Sequence, residues 1–158
     1  MDAVGQTFLS KERLRVFDTN NVLVGDVIGI ADDKANPMWV ALKIDNQLIV
    51  LRVFRSGFKG PPSTVAYFLD KKCEGTPFVK GGLVGGNAQM LPTALVAPPG
   101  QTVYSLDHEE LSTTFYPQSK LSGEGSCQIL NLLNPLKLRP TKPLIDLSKV
   151  FSTPFSLR

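Results

Sequence analysis

Trp39-Val-Ala-Leu-Lys-Ile44, Asp45-Asn46, Gln47-Leu-Ile-Val-Leu-Arg-Val-Phe54 is the stretch that decides how this chain folds. Two runs rich in β-branched and aromatic residues flank an Asp-Asn pair. Both turn residues tolerate the left-handed backbone that a two-residue primed turn requires, so the spacing predicts a β-hairpin. Its second arm, Leu48–Phe54, is nearly continuous in apolar residues. That predicts a central strand covered on both faces, as in a sandwich or a subunit interface.

The same grammar extends in both directions. Upstream, Leu14–Phe17 leads through Asp18-Thr-Asn-Asn21 into Val22–Ile30, a second hairpin with a longer loop. Gly25 and Gly29 inside its second arm predict a bulge or a close backbone approach. Downstream, Gly57–Pro62 reads as a loop, because proline cannot donate to a ladder. Short strand candidates follow at 65–68, 78–79, 88–91, 93–97, 102–106, 113–116, 127–132, 136–138 and 144–147. Gly and Pro clusters such as Pro98-Pro99-Gly100 and Asn134-Pro135 separate them. About ten to twelve short strands with this punctuation describe an all-β fold, an antiparallel β-sandwich or barrel-like single domain. Residues 14–158 form the domain and residues 1–13 an N-terminal arm. The helix candidates are single turns, at Asp107–Leu111 and at Ser148–Phe151.

Composition bounds the function classes. The chain has 158 residues, of which 42% are hydrophobic and 20% charged, as an ordinary globular domain does. No apolar run approaches the ~20 residues of a membrane-spanning helix, so membrane insertion is not expected. The net charge of +3 is weak. The basic residues in its two richest stretches, Arg52 to Lys80 and Lys137 to Arg158, form no dense run of like charge, so no nucleic-acid partner is expected. Met1–Phe8 lacks the basic and apolar regions of a signal peptide, so an exported protein would begin inside a longer polypeptide.

Cys73 and Cys127 are the two cysteines, each at a strand–turn junction. A bridge between them would close a loop of about 55 residues and contribute roughly 4 kcal/mol in the chain-entropy estimate. Two free thiols packed as small hydrophobes are the alternative. Metal and nucleophilic roles are disfavoured: His108 is the lone histidine, and Ser112 stands where a zinc-protease helix needs a second one. Gly81–Gly86 after Lys80 lacks the Gly-Lys-Ser/Thr and the helix of a phosphate-binding loop. Nothing in the spacing of the carboxylates, Asp32 and Asp33 included, selects a glycosidase pair or a calcium loop. No cofactor and no enzymatic activity are expected.

Several segments together resemble a recurrent, uncharacterised β-domain of bacterial secreted or surface proteins. They are Val24–Gly29, Val50-Leu-Arg-Val-Phe-Arg-Ser-Gly-Phe58, Tyr67-Phe68 through Cys73-Glu-Gly-Thr-Pro-Phe78, Leu91-Pro with Val103-Tyr104, Gly125-Ser-Cys127, and Asp146-Leu through Pro154-Phe-Ser-Leu-Arg158. The resemblance runs from about Arg15 to the end. Domains of this look sometimes follow collagen-like Gly-X-Y stretches or other surface modules, so the resemblance implies an extracellular or cell-surface location and, after a collagen-like stretch, a terminal, trimeric knob. It carries over no catalytic residue.

The expected function is therefore a non-enzymatic structural or interaction module that self-assembles as a homo-oligomer. Leu48, Val50, Phe54, Phe151 and Phe155 are the expected interface residues. The competing expectation is a carbohydrate- or ligand-binding module, with a glycan or a surface protein as partner and Trp39, Tyr67 and Tyr104 as the binding aromatics.

Overall fold

The computed structural model describes residues 13–31, 36–61, 64–80, 94–106, 111–123 and 125–158. The candidates at 88–91, Gly81–Gly86, His108 and Asp32-Asp33 lie outside them. The described residues form an all-β, antiparallel fold of two sheets.

The first sheet is built on the deciding hairpin. β1 (Arg15–Phe17), β2 (Leu23–Ile30), β3 (Met38–Ile44), β4 (Gln47–Phe54) and β5 (Gly57–Lys59) pair in chain order, and the C-terminal β14 (Ser156–Leu157) adds to β1. Asp45 and Asn46 have φ of 48° and 64°, the primed turn that the sequence predicts. The turn sets the register, Ile44 opposite Gln47 through Met38 opposite Val53. Both expectations for β2 are met. Its register slips between Val27 and Gly29. At Gly25 a Cβ would run into the Ala41 carbonyl and stand 2.7 Å from Val40 Cγ1.

Alternation along these strands sends Val40, Leu42 and Ile44 of β3 and Ile49, Leu51 and Val53 of β4 into one core. β4 lies between β3 and β5 as expected, but the cover on its two faces is unequal. Its inward side chains are buried, whereas Leu48 on the other face is 48% exposed. The sheet curls, because the C-terminal segment ties its two edges together. Phe155 N–H donates to the Arg55 carbonyl in the β4–β5 turn at 2.9 Å, and Arg158 and Arg15 exchange backbone bonds of 2.9 Å. The Phe155 ring packs on Phe58 with centroids 4.9 Å apart.

The second sheet comprises β6 (Ala66–Phe68), β7 (Phe78–Lys80), β8 (Ala94–Ala97), β9 (Thr102–Leu106), β10 (Thr113–Phe115), β11 (Ser119–Leu121), β12 (Cys127–Ile129) and β13 (Leu136–Asp146). Its order is β12-β11-β6-β7-β13-β9-β8, with β10 beside β13. The expected separate strands at 136–138 and 144–147 are one strand. Its first part pairs with β7 and β10 and its second part with β9. Pro143 is accommodated where the register shifts before Ile145. β5, β11 and β14 were not expected as strands, and β5 replaces part of the expected loop at 57–62. The expected short turn near 148–151 is a 3₁₀ turn at Leu147–Lys149, capped by the Asp146 carboxylate.

β8 and β9 stand between two cores. Ala94 and Val103 face the first sheet's core, whereas Leu95, Ala97 and Tyr104 face a second core with Ala66, Phe68, Cys73 and Val79. The alternation that solvates one face of an ordinary antiparallel sheet here supplies apolar side chains to both.

Candidate functional site

Two surfaces of the first sheet combine exposed apolar groups with charge. On its outer side, pairing brings Trp39 opposite Arg52, Ala41 opposite Val50 and Lys43 opposite Leu48. Trp39, Val50 and Phe54 are half-buried and Leu48 is exposed. Three of the expected interface residues, Leu48, Val50 and Phe54, therefore share one face, together with Trp39. Phe54 lies beneath Lys59 Nζ, 5.0 Å from its ring centroid, and Arg52 Cζ, at 5.7 Å. At the opposite edge Phe17 carries Arg15 and Arg158 at 5.4 and 5.3 Å.

The other two interface candidates are placed differently. Phe155 is buried in the first core, and Phe151 is half-buried with its ring 5.9 Å from that of Phe58. Their rings close the sheet onto its own C-terminal segment, so Phe155 offers no surface to a second chain.

The aromatics expected at a ligand site are not brought together. Trp39 is on the outer face of the first sheet. Tyr104 is buried in the second core, where its hydroxyl donates to the Pro98 carbonyl at 2.9 Å. Loss of solvent around it raises its pKa above the usual phenol value. Tyr67 is also buried, with Lys80 Nζ 6.0 Å from its ring. Neither tyrosine presents an open ring face on which a sugar would stack. Aromatics in a strand pattern announce burial but not which face receives it.

Sequence reasoning counted Arg52 only among the basic residues and missed its burial. It is 1% exposed, and its Nε and Nη2 donate to the carbonyls of Gly60 at 2.9 Å and Gly123 at 3.1 Å. A charge inside an otherwise apolar strand was the available signal, because a buried guanidinium needs acceptors. It fastens β4 to the chain leaving β5 and to the turn before β12.

The cysteines form the disulfide, Cys73 to Cys127, with Cα atoms 6.0 Å apart. The bond runs from the loop after β6 to the edge strand β12, across β11, which lies between them. Around it, Cys73 N–H donates to Ser119 Oγ at 3.0 Å and that hydroxyl donates to the Asp70 carbonyl at 2.6 Å. A disulfide of this kind belongs to an oxidising compartment. Among the described residues no helix is long and apolar enough to cross a membrane.

The second surface is a pocket of about 590 Å³ at the mouth of the curled first sheet. Val16, Met38, Val53 and Phe155 form its apolar floor, and Leu157 and Arg55 stand at its rim. The hairpin register pairs Met38 with Val53, but nothing in sequence order brings Val16 of β1 and Phe155 of the C-terminal segment to them.

No family model, curated protein or solved structure matches this chain.

Proposed function

We propose that the chain is a non-enzymatic interaction module of an exported, extracellular or cell-surface protein, which self-associates through the outer face of the first sheet. The observation that carries this reading is the placement of exposed Leu48 and half-buried Trp39, Val50 and Phe54 on one face of the β3–β4 hairpin. The inner face of the same strands is already spent on the core. The apolar surface that Leu48, Val50 and Trp39 leave to water there gains by removal from it, and Lys43, exposed beside Leu48, sets register between copies. The disulfide supports the export part of the reading, because such bonds persist outside reducing compartments.

Sedimentation velocity of the oxidised protein across rising concentration tests it. The expected result is a dimer or larger species that Leu48→Glu with Val50→Glu converts to monomer while the melting temperature is preserved. A wild-type protein that stays monomeric at high micromolar concentration would sink the reading.

A further inference from the structure

We infer that the pocket at the mouth of the first sheet binds a small amphipathic carboxylate, an alkyl chain with one anionic head. Its volume of about 590 Å³ lies within the range of roughly 300–1,000 Å³ common to small-molecule sites. The floor is preformed. Val16, Val53 and Phe155 are buried core residues whose conformations are held whether or not a ligand is present. Little ordering is then needed on binding. Met38, half-buried beside them, is unbranched and adapts its shape to an apolar chain.

The head-group preference follows from the rim. Among the described lining residues Arg55 is the one ionisable side chain, and the polar remainder, Asn36, Ser56 and Ser156, is neutral. No carboxylate lines the pocket there to attract a cationic head. A guanidinium offers a carboxylate two parallel charge-assisted hydrogen bonds. The Arg55 backbone is anchored in the pocket wall by the bond from Phe155 N–H at 2.9 Å, while its side chain is exposed.

Titration calorimetry with decanoate, decanol and decyltrimethylammonium separates chain from charge. Decanoate is expected to bind, decanol about tenfold more weakly, and the ammonium compound most weakly of the three. Arg55→Gln, at a solvent-exposed side chain, reduces decanoate to the level of decanol. Leu157→Trp, which places a large ring at the rim, weakens decanoate and decanol alike. Circular dichroism melts of both variants establish that they remain folded. Absence of decanoate binding below its aggregation concentration overturns the proposal. So do equal affinities for the three head groups, or decanoate binding that neither folded variant alters.

Discussion

The two sheets of this protein are held together by different kinds of interaction. The first is a meander, in which β1 to β5 pair with their sequence neighbours and the long hairpin β3–β4 carries its own turn and register. The second brings together strands remote in sequence. β11 pairs with β6, and β13 with β7, β9 and β10, so most of its ladders close long loops. Loop closure costs entropy before a remote pairing returns anything. The remote sheet is correspondingly tethered by the disulfide, by Ser119 between Asp70 and Cys73, and by Thr141, whose hydroxyl donates to the Pro77 carbonyl at 2.7 Å. Local pairing needs a turn; remote pairing needs anchors.

The largest effect expected from breaking this contrast comes from the disulfide. With 54 residues separating its ends, replacing both cysteines by serine should cost about 4 kcal/mol in the chain-entropy estimate. Denaturant unfolding measures the total, and hydrogen exchange locates it. Protection should fall more in β6, β11 and β12 than in β3 and β4. A uniform loss across both sheets would show that the sheets do not differ in the way described.

Arg52 sharpens the comparison, because it lies in the local sheet and reaches the remote one. Arg52→Leu preserves apolar packing but leaves the Gly60 and Gly123 carbonyls without their guanidinium donors. The expected loss is about 3 kcal/mol, in the range of hydrogen bonds to charged groups and unsatisfied buried acceptors. The same unfolding measurement checks it. A variant as stable as the wild type would mean that the guanidinium contributes nothing to the join between sheets.

The smallest effect is at the acid-sensitive joints. Asp18 accepts N–H bonds from Ser152, Val22 and Asn20, and the bond from Ser152 leads in holding its carboxyl below the usual range. Asp146 is likewise lowered, chiefly by the Ser148 hydroxyl and also by Gln101 N–H. A carboxylate with a depressed folded pKa stabilises fully above its unfolded value, and this contribution is lost as pH falls through the folded value. Melting temperature should therefore decline on acidification through and below the ordinary carboxylate range. The gap between wild type and Asp18→Asn should narrow over the same interval. A gap that stays constant with pH would exclude the charged form as the source.

The contrast between sheets also separates what was legible in the sequence from what was not. The β3–β4 hairpin was readable from Asp45-Asn46 and the flanking β-branched runs, and the bulge in β2 from its glycines. Ser119-Lys-Leu121 has no strand pattern of its own and is a strand because β6 and β12 lie on either side of it. Ser156-Leu157 pairs with a strand at the other end of the chain. Residues 139–143, with Pro140 and Pro143 among them, were left between two expected strands, yet β13 continues through them because its successive partners change along its length. At the surfaces, the apolar run of β4 announced Leu48, Val50 and Phe54. Of the pocket floor, Met38 and Val53 face each other in the legible hairpin, whereas Val16 and Phe155 join them only when the C-terminal segment closes on β1 and on the β4–β5 turn.

By itself, then, the sequence determined the all-β character, the primed hairpin and the points where backbones approach closely. These depend on φ, ψ and side-chain size within a few residues. Tertiary structure alone decided which carbonyls receive Arg52, which strands flank β13 and where the first sheet opens into a pocket. Each is a meeting of backbone atoms or apolar surfaces far apart along the chain. Such meetings leave no local periodicity, because any residue of suitable size brings the same carbonyl or the same apolar surface to them.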